Sequence, residues 1–202
     1  PCRAPCWEGV TPGETSVDDA LRIWAASPLI RDVRRSRVNL VSDQGQLVWN
    51  WTTGGEGGQA QFLRQDTNPK ITGTGVALPW TYSLEEVIAA YGKPTHVVAH
   101  SRCFPDALGA EYNVAVYFLT NGFLLGEGSA FTPDTMNQPL IRRKDSQRIA
   151  FFPPVRDFAN LNLPGVSIPS DWVVPWKDSF RLGDYLRDET NPRCFARTPT
   201  PP

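Results

Sequence analysis

The strongest local signal in this sequence is a short helix that begins after Ser83. Ser83 and Glu86 have the spacing of a capping box, in which each side chain accepts a hydrogen bond from the backbone N–H of the other residue. Gly92 and Pro94 mark its end, because glycine tolerates the left-handed conformation and proline cannot continue a helix. The apolar residues between them recur at helical spacing, at Leu84, Val87, Ile88 and Tyr91.

An equivalent signal begins at Ser16. Ser16 and Asp19 form a second N-cap arrangement, with aspartate in place of glutamate. Measured from the cap serine, the apolar positions of the two segments coincide; here they are Val17, Ala20, Leu21 and Trp24. The sequence therefore predicts two short amphipathic helices with similar apolar faces.

Each predicted helix is followed by segments with strand character. Arg37–Val41 and Gln46–Trp51 flank a turn-forming stretch, which predicts a hairpin. Glu111–Leu119 and Phe123–Gly126 flank Asn121-Gly122, and Asn-Gly between apolar runs is a strong hairpin signal. Both halves thus have the order helix, then antiparallel strands.

The remaining strand candidates extend these two groups. Gln59–Arg64 and Ile71–Leu78 are expected to form one further pair, Thr95–Arg102 a strand before the second hairpin, and Gln147–Phe152 a last edge strand. The glycine-rich stretch 53–58 is predicted to be a flexible loop. A phosphate-binding loop is not predicted there, because the stretch lacks the lysine and the following helix of that motif.

The predicted fold class is α+β, with short helices packed on antiparallel β-sheet, and the echo between the halves favours two tandem helix-plus-sheet repeats. The 19 prolines and 16 glycines agree with many turns and short strands. The predicted division is a first unit at residues 1–80, a second at 81–154, and a C-terminal strap at 155–202 that is rich in proline and aromatic residues.

Charge and hydropathy exclude several classes of partner. The formal net charge of −1 and the sequence pI of about 6.2 argue against nucleic-acid binding, which favours basic proteins. No run of 18 apolar residues is present, so no transmembrane segment is predicted. The start at Pro1-Cys2 is interpreted as that of a mature chain, which leaves a lipid anchor upstream open.

The four cysteines, Cys2, Cys6, Cys103 and Cys194, indicate the compartment. They lack the close pairs of a zinc site, so disulfides in an exported protein are the favoured interpretation and reduced, buried thiols the alternative. Three pairings of four cysteines are possible, and the sequence does not choose among them.

No catalytic, cofactor-binding or metal-binding residue is predicted. His96 and His100, with Cys103 nearby, share a face of a strand, but their separation of about 13 Å is too large for one ion unless the strand bends. No nucleophile elbow is present, and the carboxylates at the two helix starts are explained by capping. Asn50-Trp51-Thr52 matches a glycosylation acceptor, although its strand context leaves modification open.

The N-terminal motif resembles that of a family of uncharacterised bacterial exported proteins, many of them lipoproteins. It reads Cys2-x3-Cys6-Trp7-x-Gly9-Val10-x-Pro12-Gly13-x-Thr15. The helix segment Ser83–Pro94 and the strand at Tyr117-Phe118-Leu119 extend the likeness. More distantly, each half is similar to the α+β modules of SmpA/OmlA-type lipoproteins and of the β-lactamase-inhibitor protein. That resemblance implies a helix pair on a curved antiparallel sheet that binds proteins.

The resulting hypothesis is a non-catalytic protein, extracellular or in the cell envelope, that binds other proteins or assembles with itself at the bacterial cell surface. No cofactor is expected. The alternative is an extracytoplasmic hydrolase or small-ligand-binding protein whose site matches no known motif.

Overall fold

A computed structural model of the chain describes residues 2–36, 43–78, 82–104, 109–130, 137, 139–141, 148–161 and 168–186. These residues form two α-helices, which are α1 at Val17–Ala25 and α2 at Leu84–Tyr91. They also form nine strands, which are β1 Ile30–Arg35, β2 Gln44–Trp51, β3 Glu56–Leu63, β4 Ile71–Ala77, β5 His96–Phe104, β6 Gly109–Phe118, β7 Phe123–Ala130, β8 Arg148–Phe151 and β9 Val173–Pro175. The fold is therefore α+β, with far more sheet than helix.

Both helices begin where the sequence predicts. The Ser83 hydroxyl accepts from the Glu86 amide at 3.2 Å, and the Ser83 amide donates to the Glu86 carboxylate at 2.8 Å. The Ser16 hydroxyl accepts from the Asp19 amide at 3.1 Å. Both caps satisfy amides that a helix start leaves without partners, so the capping predictions are confirmed.

The chain divides into two compact units, one of residues 1–80, 118–125 and 147–167 and one of residues 81–117, 126–146 and 168–202. In the first unit the strand order is β1-β2-β3-β4-β8, and the β1-β2, β2-β3, β3-β4 and β4-β8 pairs are antiparallel. The start of β7 lies next to β8. Since β8 has β4 on one side and β7 on the other, the prediction of an edge strand at Gln147–Phe152 is wrong.

The first unit differs from the sequence prediction at two further places. Ile30–Arg35 forms β1, although no strand was predicted there, and the predicted strand Arg37–Val41 lies outside the described residues. The stretch 53–58 is a loop only in part, because β3 begins at Glu56 and includes Gly57 and Gly58.

In the second unit, β5 pairs antiparallel with β6 on one side and with β9 on the other. The predicted Asn-Gly turn leads from β6 into β7, with Gly122 in the left-handed conformation at φ +69. The C-terminal strap contributes β9, which was not predicted. Within the strap, Leu182–Asp184 forms a 3₁₀ turn.

The core of the first unit is built around four tryptophans, Trp7, Trp24, Trp49 and Trp51. Trp24 of α1 lies 4.5 Å from Trp49 of β2 between ring centroids, and Trp7 stacks on Trp49 at 5.1 Å. A tight turn at Glu8-Gly9, where both residues have positive φ, positions Trp7. The Trp7 amide donates to the Val10 carbonyl and the Val10 amide donates to the Trp7 carbonyl, both at 2.9 Å. The cluster therefore joins the lead-in segment, α1 and the sheet.

Candidate interaction surface

The two faces of the first unit's sheet differ in chemistry because successive side chains of a strand point to opposite sides. The face toward α1, here called the helix face, carries the cross-strand row Leu47, Ala60, Thr74 and Phe151. All four are buried, and the next row starts at the buried Trp49. This face is the packed side of the sheet.

Three glycines make the aromatic packing of the helix face possible. A Cβ at Gly57 would lie 2.3 Å from the Trp49 ring, and one at Gly58 would lie 2.5 Å from the same ring. At Gly45, a Cβ would lie 2.2 Å from the ring of Phe62. Large rings therefore lie directly on bare backbone, which explains glycines inside strands.

The opposite face, here called the open face, carries a row that crosses five strands. Its members are Arg34, Val48, Gln59, Gly75 and Ala150, each registered with the next. Arg34 and Gln59 are exposed and the other three are half-buried. At about 4.8 Å per strand the row is about 19 Å long, which is the length of about six extended residues.

On the side of this row toward Gln46, the open face carries uncharged side chains. Gln46 pairs with Gln61 across β2 and β3, and the Gln46 amide donates to the Gln59 side chain. Leu63, on the same face, is 42% exposed. A Cβ on Gly75 would meet nothing closer than 3.9 Å, in contrast to the glycines of the helix face. The surface thus offers amides, small residues and some apolar area.

In the second unit, burial and hydrogen bonds shift the pKa of ionisable groups. Burial raises the pKa of the Tyr117 phenol well above its usual range, so this group stays neutral. Hydrogen bonds from Lys93 and Trp176 lower the pKa of the exposed Asp178 carboxyl. Lys93 Nζ lies 2.7 Å from this carboxylate, and the Trp176 indole N–H donates to it at 2.9 Å. These contacts fasten the strap within the second unit.

The histidines that were considered as metal ligands lie on one strand. His96 and His100 are in β5, registered with Tyr117 and Asn113 of β6. The His100 ring stacks on Trp172 of the strap at 4.4 Å. Among the described residues, no group of three or more His, Cys, Asp or Glu side chains could hold a metal ion. The side chain of Cys103 is outside this description.

Of the four cysteines, Cys2 and Cys6 are brought together. Their Sγ atoms lie 2.19 Å apart, at the distance of a disulfide. Cys194 lies outside the described residues. Asn50, of the glycosylation triplet, is half-buried in β2 on the open face, and the Thr52 hydroxyl donates to the Pro28 carbonyl at 3.1 Å.

The open face could not be identified from the sequence as a surface. The sequence indicates two faces of β2, because Leu47, Trp49 and Trp51 alternate with Val48 and Asn50. The strand register that brings Gln59, Gly75 and Ala150 beside Val48 is a tertiary property. The alternation of glutamines with Gly58, Ala60 and Phe62 in β3 was the available signal.

In the part of the chain that the structure describes, neither helix has the length and apolar character that crossing a membrane requires. Comparison with protein-family models, with curated proteins and with solved structures gives no match.

Proposed function

We propose that this chain is a non-catalytic, exported protein that binds another protein, and that the open face of the first unit is the contact surface. The observation that carries the proposal is the contrast between the faces. The same five strands present buried aromatic and aliphatic side chains on one side, and on the other Val48, Gly75 and Ala150 left half-buried among exposed polar groups. A surface that combines small apolar residues with exposed polar groups suits a protein partner, because protein interfaces combine an apolar core with a polar rim.

The proposed location is the cell surface or the extracellular space. The Cys2–Cys6 pair supports it, because disulfides persist in oxidising compartments and are rare in the cytosol. The N-terminal motif, with its resemblance to exported bacterial lipoproteins, points the same way. Mass spectrometry of the native protein without reductant tests this location. Disulfide-linked Cys2 and Cys6 are expected, and free thiols at both positions would contradict export.

We also propose that the chain arose from two tandem helix-plus-sheet repeats. In sequence, α1 is followed by β1 to β4 and α2 by β5 to β8, so among the described residues each half has one helix and four strands. The last strands of the two halves, β4 and β8, pair antiparallel from Thr74–Phe151 to Ala77–Arg148. The repeat supports a scaffold role of the kind that the β-lactamase-inhibitor resemblance implies.

Site-specific photo-crosslinking in the producing cell tests the proposed contact surface. A photoreactive residue would replace Gln59, which is exposed on the open face, and in a second variant Arg22, which is exposed on α1. We expect a discrete protein adduct from position 59 and none from position 22. Absence of any protein adduct at position 59, or equal adducts at both positions, would exclude the open face as the contact surface.

A further inference from the structure

The edge strand β1 contains a bulge that determines which way its arginines point. Arg31 is registered with Asn50 and Arg34 with Val48, so two residues of β1 lie between these pairs where β2 has one. Asp32, inside the bulge, has φ +57, an uncommon conformation for a residue with a side chain. In a regular strand, residues three apart lie on opposite faces. The bulge therefore places Arg31 and Arg34 together on the open face.

Both arginines are exposed and are oriented by the bulge itself. Arg34 Nη1 donates to the Asp32 carbonyl at 3.0 Å, and Arg31 Nε lies 3.6 Å from the Asp32 carboxylate. Charged residues on an edge strand also deter pairing with another strand, but that role requires no particular face. Bulges often re-aim side chains for function, and this one concentrates positive charge at one margin of the open face.

The other charges of the open face leave it positive. Arg148 of β8 is exposed and registered with Ala77, and Glu56 of β3 is exposed and registered with Asn50. The described strands thus place three arginines on this face, and two carboxylates, those of Asp32 and Glu56. Between the charged margins lie Val48 and the bare backbone of Gly75, which can be approached closely.

Resting on the proposed function, we infer that the partner contacts the open face through an acidic segment. Its carboxylates would bind Arg31 and Arg34, since guanidinium groups bind carboxylates through paired hydrogen bonds. Its apolar side chains would lie across Val48 and Gly75. The whole chain has a net charge of −1, so the attraction is local to this face and does not arise from overall charge.

Selection of displayed random 12-residue peptides on the immobilised full chain tests this inference. We expect enriched peptides with Asp or Glu beside aliphatic or aromatic residues, and these should bind at least tenfold more weakly to the Arg31→Ser/Arg34→Ser variant. The matched control is Arg22→Ser/Arg35→Ser, which removes the same charge from the helix side, where these arginines pair with Asp19 and Asp18. The control should bind the peptides as the wild type does.

The Arg31→Lys/Arg34→Lys variant separates charge from folding, because it keeps the charge and should retain most of the binding. Near-UV circular dichroism of the tryptophan cluster checks the fold of every variant. No enrichment, enrichment of peptides that are not acidic, or equal binding to wild type and Arg31→Ser/Arg34→Ser would overturn the inference. A protein adduct at position 59 together with such a result would leave the proposed function standing and exclude only the acidic partner.

Discussion

The helix face and the open face of the first unit use the same strands for opposite purposes. On the helix face, Trp49 is 1% exposed and lies on glycine backbone against Trp7 and Trp24. On the open face, the adjacent Val48 is half-buried beside an exposed glutamine. Most of the packing that stabilises this sheet against unfolding is therefore on the helix face. The open face can carry a binding surface at little cost in stability.

The largest effect should come from removing a ring from the helix face. Trp49→Ala is expected to lower the free energy of unfolding by about 3–5 kcal/mol, because the cavity among Trp7, Trp24 and the glycines of β3 cannot collapse fully. Val48→Ala, one residue away on the open face, should cost less than about 1 kcal/mol. Urea unfolding followed by far-UV circular dichroism measures both. Similar losses for the two variants would abolish the proposed division of the sheet.

A pair of glycines gives a sharper version of the same comparison. A Cβ at Gly58 would lie 2.3 Å from the Gly75 carbonyl oxygen, which is backbone and cannot move aside. Gly58→Ala should therefore cost about 1–3 kcal/mol. Gly75→Ala, on the open face, should be neutral or should stabilise the protein by up to about 1 kcal/mol, because alanine loses less backbone entropy on folding.

The same denaturation assay checks this pair. If Gly75→Ala destabilised the protein as much as Gly58→Ala, the open face would be covered by another part of the chain. If both variants were neutral, the close packing of β3 at Gly58 against the Trp49 ring would be contradicted.

How far the sequence predicts this fold depends on how local each signal is. Ser83 and Glu86, or Asn121 and Gly122, form contacts within a few residues, so the capping box and the turn follow from the sequence. Gly57 and Gly58 predict a loop when only their neighbours in sequence are considered. They lie in a strand because the ring that packs on them comes from another strand, which the local sequence does not show. Ile30–Arg35 has no regular alternation because of its bulge, so β1 was missed. The pairing of β4 with β8 spans more than 70 residues, and no local pattern encodes it.

The candidate surface was less predictable than the fold for the same reason. Arg31 and Arg34 are three apart, and a regular strand would have separated them onto two faces. Only the register with Asn50 and Val48 brings them together. In the first unit the tryptophans pack in the core, whereas the candidate surface is made of glutamine, glycine and arginine, which have no distinctive sequence pattern.

Substitution of Asp32 tests whether β1 keeps its bulge, which determines the face on which Arg34 lies. Asp32→Val should cost about 1–2 kcal/mol, because a β-branched residue tolerates positive φ poorly. Asp32→Gly adopts this conformation without strain and should change stability by no more than about 0.5 kcal/mol. Thermal unfolding of both variants measures the difference. Equal stabilities would mean that β1 does not keep this bulge in solution.

The smallest effect concerns two threonines of β4. Thr74, on the helix face, is 3% exposed, and its hydroxyl has no partner among the described residues. Thr74→Val keeps the shape and removes a buried polar group, so it should stabilise the protein by about 1 kcal/mol. The Thr72 hydroxyl donates to the Gln61 carbonyl at 3.0 Å, so Thr72→Val should instead cost about 0.5–1.5 kcal/mol. Opposite signs in urea unfolding are therefore expected from the same substitution two residues apart. A loss at Thr74 would show that its hydroxyl has a buried partner and would contradict this description of the helix face.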